Sequence, residues 1–354
     1  MKVLLCERNF SGHRRIYLKW LSKTDGIEFF SFAPENTGFR EDHFHPFITG
    51  SSLKSFKGYL SWIRQIRRIV KRDKIDVVHI LDGDSLMRWF GCGLHSLGCD
   101  RVIVTYHNFY PGTARRISYR LMNLGRGHTC VVHSETLRQQ MTAAGIKNAA
   151  HCEYPAFEFD AFAGLNSAQC KADLQMRADV PVIGIIGGIS CYKNIIPFLH
   201  ILQKTETDFQ LLMLGRLTDI TEQEITEATE PYKQKVRCML RPLTDEEYKS
   251  GIAASDVIYC IYRRDFNGAS GPLTDGVCCR KMILSSDHGT LGNITQQNHL
   301  GFTADVTDEK DILKNTEAAL RQALSFKYDE TAELYRDLLR PAHFLETYKK
   351  IYGI

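Results

Sequence analysis

The sequence lacks the features that define several common protein classes. Its 354 residues contain no internal repeat, no low-complexity tract and no apolar run long enough to span a membrane. The first eight residues reach charged positions too early for a signal peptide and predict a buried strand instead. We therefore expect a cytoplasmic protein, with peripheral attachment to the inner face of the cytoplasmic membrane as a further expectation.

Metal-binding and disulfide signatures are also missing. The 11 cysteines are odd in number and form no Cys-x-x-Cys pair, and Cys130 and Cys260 lie inside apolar runs, so they predict reduced core residues. The adjacent Cys278 and Cys279 fall on a predicted helix, where neighbouring side chains point in different directions. We therefore expect them to pack in the core and not to form a redox or metal-binding pair. The 13 histidines show no His-Glu-x-x-His spacing, and we expect no metal and no cofactor.

Length and composition indicate a soluble protein of two domains, with 44% hydrophobic and 24% charged residues. The net charge of +4 is unevenly distributed. Residues 1–155 carry a charge of +10 and residues 156–354 a charge of −6, counting Lys, Arg, Asp and Glu. A basic first half predicts an anionic ligand or surface as its partner.

The densest basic run is interleaved with apolar residues at helical spacing. Its cations are Lys54, Lys57, Arg64, Arg67, Arg68, Lys71, Arg72 and Lys74, and a second basic group comprises Arg115, Arg116, Arg120 and Arg126. We expect the apolar side of this helix to pack on a sheet, and its basic side to favour an anionic membrane surface. Nucleic acid is a weaker alternative, because no nucleic-acid-binding motif accompanies the charge.

Strand-like and helix-like segments alternate along the whole chain, which predicts parallel sheets wrapped by helices. Strands are expected at Lys2–Cys6, Ile27–Phe32, Ile75–Leu81, Arg101–Tyr106, Thr129–His133, Val182–Gly187, Phe209–Leu214, Val236–Leu240, Asp256–Tyr262 and Met282–Ser286. Helices between the early strands are expected at 12–23, 55–73, 114–124 and 135–144. The predicted domains are 1–158 and 159–335, followed by a helical segment, 336–354, that bends at Pro341.

Two segments of the second domain have the composition of a phosphate-binding site. In the first, a buried strand ends at Gly187 and Gly188, and Lys193 follows at the start of a helix. Glycines let the backbone approach a ligand closely, and a helix start favours anions. Each feature also occurs in ordinary tight turns, so this segment alone leaves both interpretations open.

The second segment is a small-residue loop that opens a helix after the strand at 256–262. Main-chain amides of Ser270, Gly271, Leu273 and Thr274 are expected to face a diphosphate, while Asp275 is expected to accept hydrogen bonds from ribose hydroxyls. A glycine-rich turn followed by an aspartate that suits the helix dipole is the plain structural alternative.

Together these segments resemble the nucleotide-sugar half of a glycosyltransferase with the GT-B fold, most similar to the retaining family 4. The family's glycine and lysine correspond to Gly187 and Lys193, and the second of its two acids corresponds to Asp275. The chain departs from the pattern where the first acid falls on Asn267 and the usual arginine falls on Gly188. We expect Arg263 or Arg264 to supply the missing charge, and we include Arg264 and Asn267 among the donor-binding residues.

The resemblance implies two Rossmann-like, doubly wound domains facing across a cleft, with a C-terminal helix that crosses back to the first domain. In that first domain, Gly12 follows the first strand and resembles the family's glycine loop, which implies proximity to the donor phosphate or acceptor. His107 follows Thr105 and Tyr106 and resembles the family's Thr-x-His motif near the transferred sugar. A lone histidine after a strand is otherwise more often structural.

The implied reaction transfers a hexosyl group from a nucleotide diphosphate sugar, with retention, and needs a stabilised leaving diphosphate more than a strong base. His107, Lys193 and Asp275 are the expected catalytic residues. With the basic first domain, the resemblance suggests a glycan or lipid-diphosphate-linked acceptor, as in assembly of capsule, O-antigen or exopolysaccharide.

Three rival interpretations remain open at this point. Asp82 and Asp84 form an Asp-x-Asp after a strand, which would predict a metal-dependent transferase. The replacements at Gly188 and Asn267 would also suit a non-catalytic GT-B partner subunit. A nicotinamide dehydrogenase is disfavoured, because the Gly-x-Gly-x-x-Gly with a downstream acid is absent.

Overall fold

The computed structural model describes residues 1–8, 14–47, 55–108, 112–125, 127–266 and 268–354. The strands are β1 Lys2–Cys6, β2 Glu28–Ala33, β3 Phe44–Pro46, β4 Val77–Ile80, β5 Arg101–Tyr106, β6 His128–Val132, β7 Ala149–His151, β8 Val182–Ile186, β9 Gln210–Leu214, β10 Val236–Met239, β11 Val257–Cys260, β12 Met282–Ser286 and β13 Gly301–Ala304. The helices are α1 Arg14–Leu21, α2 Phe56–Asp73, α3 Thr113–Met122, α4 Glu135–Ala143, α5 Phe159–Ala163, α6 Ser167–Asp173, α7 Ile195–Leu202, α8 Glu222–Thr229, α9 Asp245–Ala254, α10 Gly271–Cys278, α11 Gly289–Gln297, α12 Glu309–Gln322, α13 Glu330–Leu338 and α14 Pro341–Tyr352.

The chain forms two compact units. Unit 1 comprises Met1–Phe157 with Pro341–Ile354, and unit 2 comprises Glu158–Arg340. Each contains one parallel sheet, and the α/β fold class predicted from the alternating pattern is confirmed. No helix in the described ranges is long and apolar enough to cross a membrane.

Unit 1 contains, within its described residues, a seven-stranded sheet in the order β3-β2-β1-β4-β5-β6-β7. Its central strands are buried on both faces and mostly apolar, as expected when helices cover both sides of a parallel sheet. Helix α2 begins at an N-cap, where the Ser55 side chain accepts a hydrogen bond from the Gly58 amide. Its apolar side, including Tyr59, Trp62 and Ile66, is buried in the unit 1 core, as the sequence predicted.

The C-terminal pattern is divided into two helices. Helix α13 ends at Leu338 in unit 2, and α14 begins at Pro341, a position where the missing amide of proline costs no hydrogen bond. Helix α14 packs within unit 1. The Arg101 guanidinium donates to the main-chain carbonyls of Tyr352 and Ile351, both at 2.7 Å, and so caps the end of α14.

Unit 2 contains, in the part of it that is described, a six-stranded sheet in the order β10-β9-β8-β11-β12-β13. In both sheets the strand order reverses beside the first strand of the unit, at β1 and β4 in unit 1 and at β8 and β11 in unit 2. Loops diverge at such a reversal and leave a crevice at the carboxyl ends of the strands. Ligand-binding residues of such sheets are expected at these two reversals.

Candidate functional site

Gly187 lies at the strand-order reversal of unit 2, directly after β8. Its φ is +90°, a conformation that strongly favours glycine, and its amide donates to the Leu214 carbonyl at 2.8 Å. A Cβ atom placed on it would lie 3.7 Å from Pro272 Cγ, 3.9 Å from Lys193 Nζ and 4.0 Å from Tyr248 Cε2. Three separate segments therefore converge on this glycine.

Lys193 is the cationic member of this group. It lies on a short 3₁₀ turn, Cys191–Lys193, and is only 5% exposed. Its ammonium Nζ donates to the Ile186 carbonyl at 3.2 Å and lies 5.5 Å from the centre of the Tyr262 ring. Burial lowers the pKa of Lys193 to about 8, because a poorly solvated ammonium is disfavoured. An anion beside it would compensate for that lost solvation.

The start of helix α10 differs in part from the expectation. Ser270 is the N-cap, and its hydroxyl accepts from the Leu273 amide at 3.4 Å, while the Thr274 amide donates to the Ser270 carbonyl at 3.1 Å. The amides of Leu273 and Thr274 were expected to be free for a diphosphate, and that expectation is wrong. Both residues are buried as well. Ser270 and Gly271 are the remaining candidates at this helix start.

Asp275 lies one turn into α10, and its carboxyl group is already hydrogen bonded. The Tyr248 hydroxyl donates to Asp275 Oδ2 at 2.7 Å. Burial raises the pKa of Asp275 to about 7, although the Tyr248 hydrogen bond acts in the opposite direction. The carboxyl group therefore exchanges its proton close to neutral pH.

Gly188 and Arg264 occupy different surroundings. Gly188 is exposed, and a Cβ on it would have open space around it. Arg264 forms an ion pair with Asp305 at 2.8 Å and lines a cavity of about 640 Å³ with Cys191 and Asp219. Lys193, Gly187 and Ser270 do not line this cavity. Arg264 is thus paired with Asp305 at this cavity. Asn267 lies outside the described residues.

Unit 1 carries charged residues at its own strand-order reversal. The Asp82 carboxylate Oδ2, after β4, lies 3.1 Å from Arg8 Nε and 2.9 Å from Arg14 Nη1. Arg14 also lies 3.5 Å from the buried Glu7 carboxylate. Burial of Asp82 favours its neutral form, but the Arg14 and Arg8 guanidinium groups lower its pKa overall. Gly12 lies outside the described residues.

His107 follows β5 and is held from two sides. Its main-chain amide donates to Asp84 Oδ2 at 2.8 Å, and its ring Nε2 lies 2.9 Å from the Leu81 carbonyl oxygen. A carbonyl only accepts, so Nε2 carries the proton and Nδ1 presents a lone pair. Burial, followed by the nearby Arg14 charge, lowers the pKa of His107, and the imidazole is therefore neutral at pH 7.

The Asp84 carboxyl group, which accepts the His107 amide, is shifted toward its protonated form. Burial raises the pKa of its carboxyl group to about 7, against the opposing effect of the main-chain amides of His107 and Asn108. Asp82 is thus paired with two arginines, whereas Asp84 accepts the main-chain amide of His107. Within the described ranges, no group of three His, Cys, Asp or Glu residues has metal-binding geometry.

Three contributors to these sites were not predicted from the sequence. Tyr248 and Tyr262 carry no motif, and their partners Asp275 and Ser270 are found only in the fold. Arg14 follows the Gly12 loop, and a search for cations near that loop would have found it. Its contact with Asp82 spans 68 positions of sequence, which no local pattern indicates.

Comparisons with known proteins concern the sequence and the fold of the chain. Residues 18–152 match the sequence model described as Glycosyltransferase Family 4. No curated protein sequence matches the chain. Among solved structures, sucrose-phosphate synthase from Thermosynechococcus elongatus is 14% identical with a TM-score of 0.76, covering 99% of this chain and 98% of that one.

Two further structures show the same likeness. Anabaena HepE in complex with UDP-glucose is 12% identical with a TM-score of 0.72, and both chains are covered completely. A glycosyltransferase from Rickettsia africae is 17% identical with a TM-score of 0.67, covering 99% of this chain and 98% of the other. At these identities the likeness establishes the fold, which is GT-B.

Proposed function

We propose that this chain, a glycosyltransferase of the GT-B type, transfers a hexosyl group from a nucleoside diphosphate sugar to a glycan or lipid-linked acceptor. The transfer proceeds with retention of configuration and belongs to the biosynthesis of a cell-surface polysaccharide. The donor proposal is supported by relatives of the same fold that were solved with UDP and with UDP-glucose.

The buried Lys193 is the observation that carries this proposal. Its ammonium group lies at the crevice of the unit 2 sheet, beside Gly187, with a pKa of about 8. A diphosphate there would lie beside a protonated ammonium group at neutral pH. The surroundings are poorly hydrated, and electrostatic stabilisation is strongest in such an environment. The start of α10 at Ser270 and Gly271 adds a partial positive charge.

The chemistry requires stabilisation of the departing diphosphate. As the glycosidic bond to the leaving oxygen breaks, negative charge grows on the phosphate, and Lys193 is assigned to neutralise it. The leaving phosphate accepts the proton of the acceptor hydroxyl, so no strong carboxylate base is needed. We assign the contact with the transferred sugar to His107, as the family resemblance implies. Its ring Nε2 is held by the Leu81 carbonyl.

The acceptor proposal depends on the surface of unit 1. The outward side of α2 exposes cations at Lys57, Arg64, Arg67, Arg68, Lys71 and Arg72. Unit 1 also exposes large apolar side chains, at Phe56 in α2 itself and at Phe90, Ile117, Leu121 and Leu124. Trp89 packs on Phe56 at 5.3 Å between ring centres and so joins α2 to the segment before Phe90. Cations beside exposed apolar groups suit an anionic bilayer, where a lipid-diphosphate-linked acceptor would be presented.

The donor site is tested by thermal stabilisation with a panel of UDP, GDP, ADP, CMP and dTDP. A ligand that binds only the folded state raises the melting temperature. We expect one nucleotide to do so with the wild type and to lose most of its effect with Lys193→Met, which keeps the stem and removes the charge. Lys204→Ala is the matched control, because Lys204 is an exposed lysine of the same unit.

The alternative of a non-catalytic partner subunit is motivated by Gly188 and Asn267, which replace charged family residues. It predicts no stabilisation by any nucleotide and no sugar release. An equal shift in the wild type and in Lys193→Met would instead refute the phosphate role of this lysine.

The membrane partner is tested by sedimentation with vesicles of neutral lipid or of neutral lipid containing an anionic phospholipid. We expect binding to the anionic vesicles alone, falling as salt rises. Arg64→Gln with Arg68→Gln should weaken it, because each cation near such a surface contributes about 1 kcal/mol. Lys310→Gln with Lys314→Gln, two exposed cations of unit 2, should leave it unchanged. Equal loss in both double variants would contradict a docking role for α2.

A further inference from the structure

Tyr248 occupies the space between the two segments of the candidate donor site. It belongs to the first turns of α9, where Thr244 and Glu247 form a capping box that fixes the helix start. A Cβ on Gly187 would lie 4.0 Å from the ring atom Cε2, and a Cβ on Gly271 would lie 3.7 Å from the hydroxyl. The side chain therefore reaches from the end of β8 to the beginning of α10.

The hydroxyl group of Tyr248 has a defined hydrogen-bond direction. Burial, followed by the Asp275 charge, raises the pKa of Tyr248 well above its usual value, so the phenol keeps its proton. It donates that proton to Asp275 Oδ2 at 2.7 Å. This bond fixes the rotation of the carboxyl group and uses part of the hydrogen-bonding capacity of Oδ2. The Tyr248 hydroxyl does not bond to the second oxygen, Oδ1.

The spacing along α10 selects the part of a ligand that meets this pair. Gly271 and Asp275 are four residues apart, about 6 Å along a helix axis. If the diphosphate lies at the start of α10 beside Lys193, the next group of a nucleotide along that direction is the ribose. A vicinal diol supplies two hydroxyl donors, which match a carboxylate held in one orientation.

We propose that Tyr248 is a positioning residue for the nucleoside part of the donor, which orients Asp275 toward the ribose diol and lines the ribose with its ring. This inference rests on the proposed function, because it takes a ribonucleoside diphosphate as the ligand. It assigns the selection of a ribose over a sugar without vicinal hydroxyls to the Tyr248–Asp275 pair.

The test is a comparison of two ligands with two proteins. The probes are the ribonucleoside diphosphate that stabilises the wild type and its 2′,3′-dideoxy analogue, and affinities are measured by calorimetry. We expect Tyr248→Phe to weaken binding of the ribonucleotide about tenfold and binding of the dideoxy analogue less than about twofold, because only the ribonucleotide uses the oriented carboxylate. Tyr232→Phe is the matched control, since it removes a phenol that donates to the Leu199 carbonyl elsewhere in unit 2.

Asp275→Asn provides an independent variant of similar shape. We expect it to lose the same discrimination between the two ligands, and the double variant to lose little more, because both changes break one interaction. An equal effect of Tyr248→Phe on both ligands, or no effect, would overturn the inference while leaving the proposed function intact. Absence of nucleotide binding by the wild type would overturn both.

The pH dependence separates a positioning role from a packing role. Asp275 interacts with Tyr248 and Lys249 from α9, Glu158 from the start of unit 2, Cys278 at the end of its own helix and Cys279 directly after it. The Tyr248 hydrogen bond favours the carboxylate, so its removal should raise the pH at which Asp275 ionises. The ratio of ribonucleotide to dideoxy affinity should therefore rise at a higher pH in Tyr248→Phe than in the wild type. An unchanged midpoint would contradict the proposed orientation of Asp275.

Discussion

His79 of β4 and Tyr352 of α14 are joined by a hydrogen bond of 2.6 Å between the ring Nδ1 and the phenol oxygen, across 273 positions of sequence. The other ring nitrogen, Nε2, lies 2.8 Å from the Thr105 hydroxyl on β5. The C-terminal helix is thereby hydrogen bonded to the centre of the unit 1 sheet. Thr105, the second partner of His79, lies two residues before His107. All of these polar atoms are buried, so each depends on the others for its hydrogen bonds.

Tyr352→Phe should destabilise unit 1. The substitution removes one hydroxyl and leaves a buried ring nitrogen of His79 without its partner, which costs about 1–3 kcal/mol. Urea unfolding followed by fluorescence should show a lower midpoint with an unchanged slope. Tyr192→Phe removes the same atom from a side chain that is 39% exposed, and we expect it to be close to neutral. A wild-type midpoint for Tyr352→Phe would show that the bond does not contribute.

Acid should destabilise the protein partly through His79. Burial lowers the pKa of His79 to about 3, whereas an unfolded histidine titrates near 6.5. Between these values the unfolded chain binds a proton that the folded chain does not, so stability falls as pH decreases from about 6.5. The contribution approaches about 1.4 kcal/mol per pH unit.

The check is urea unfolding of wild type and His79→Gln at several pH values between 7 and 4.5. The variant should lose less stability per pH unit than the wild type, even where it starts from a lower value. Other buried histidines titrate equally in both proteins, so the difference between the slopes isolates position 79. Parallel slopes would contradict a neutral, buried His79.

Much of the fold could be predicted because its central strands are short apolar runs separated by helical periodicity. The strands at β1, β5, β8 and β12 lie where the pattern placed them. The edge strands β3, β7 and β13 were missed, because three or four residues carry too little periodicity to distinguish a strand from a loop.

The candidate site was predictable only where a single segment carries the signal. Gly187 and Lys193 are seven residues or fewer from their strand and meet in the fold. Tyr248 meets Asp275 across 27 positions, which only the fold reveals. Arg264 was assigned to the donor as a cation near the loop that opens α10, and its exposed ion pair with Asp305, 41 positions away, is a contact that only the fold reveals.

Gly188→Arg should strengthen binding of a nucleoside diphosphate. Gly188 is exposed, and a Cβ there meets nothing within 4 Å, so the side chain can be added without displacing its neighbours. A second cation near Lys193 should tighten binding by about threefold to tenfold at low salt, and the gain should shrink as salt rises. Calorimetry at two salt concentrations measures both effects.

The neighbouring glycine provides the contrast for that experiment. Gly187 has a φ of +90°, so Gly187→Ala should cost about 1–2 kcal/mol of stability, whereas Gly188→Ala should cost little. If Gly188→Arg fails to bind more tightly while remaining as stable as Gly188→Ala, position 188 does not face the phosphates.

Transfer should be insensitive to removal of divalent metal. A cation at the Asp-x-Asp segment would need both carboxylates, yet Asp82 Oδ2 lies 3.1 Å from Arg8 Nε and 2.9 Å from Arg14 Nη1. Asp84 Oδ2 accepts the His107 amide at 2.8 Å. Binding a metal would break these contacts and place a divalent charge beside two guanidinium groups. We therefore expect equal turnover of the donor sugar with and without EDTA, and no stimulation by added Mn²⁺ or Mg²⁺.

A manganese-dependent transferase assayed in the same buffer controls for the effectiveness of the chelator. Asp82→Asn adds a second measurement, because it removes the charge that neutralises Arg8 and Arg14 in a buried place. It should lower the melting temperature equally in EDTA and in Mn²⁺, since the loss concerns an ion pair of the fold. Turnover that EDTA abolishes and Mn²⁺ restores, together with a melting temperature that Mn²⁺ raises in the wild type but not in Asp82→Asn, would instead establish a metal site at this segment.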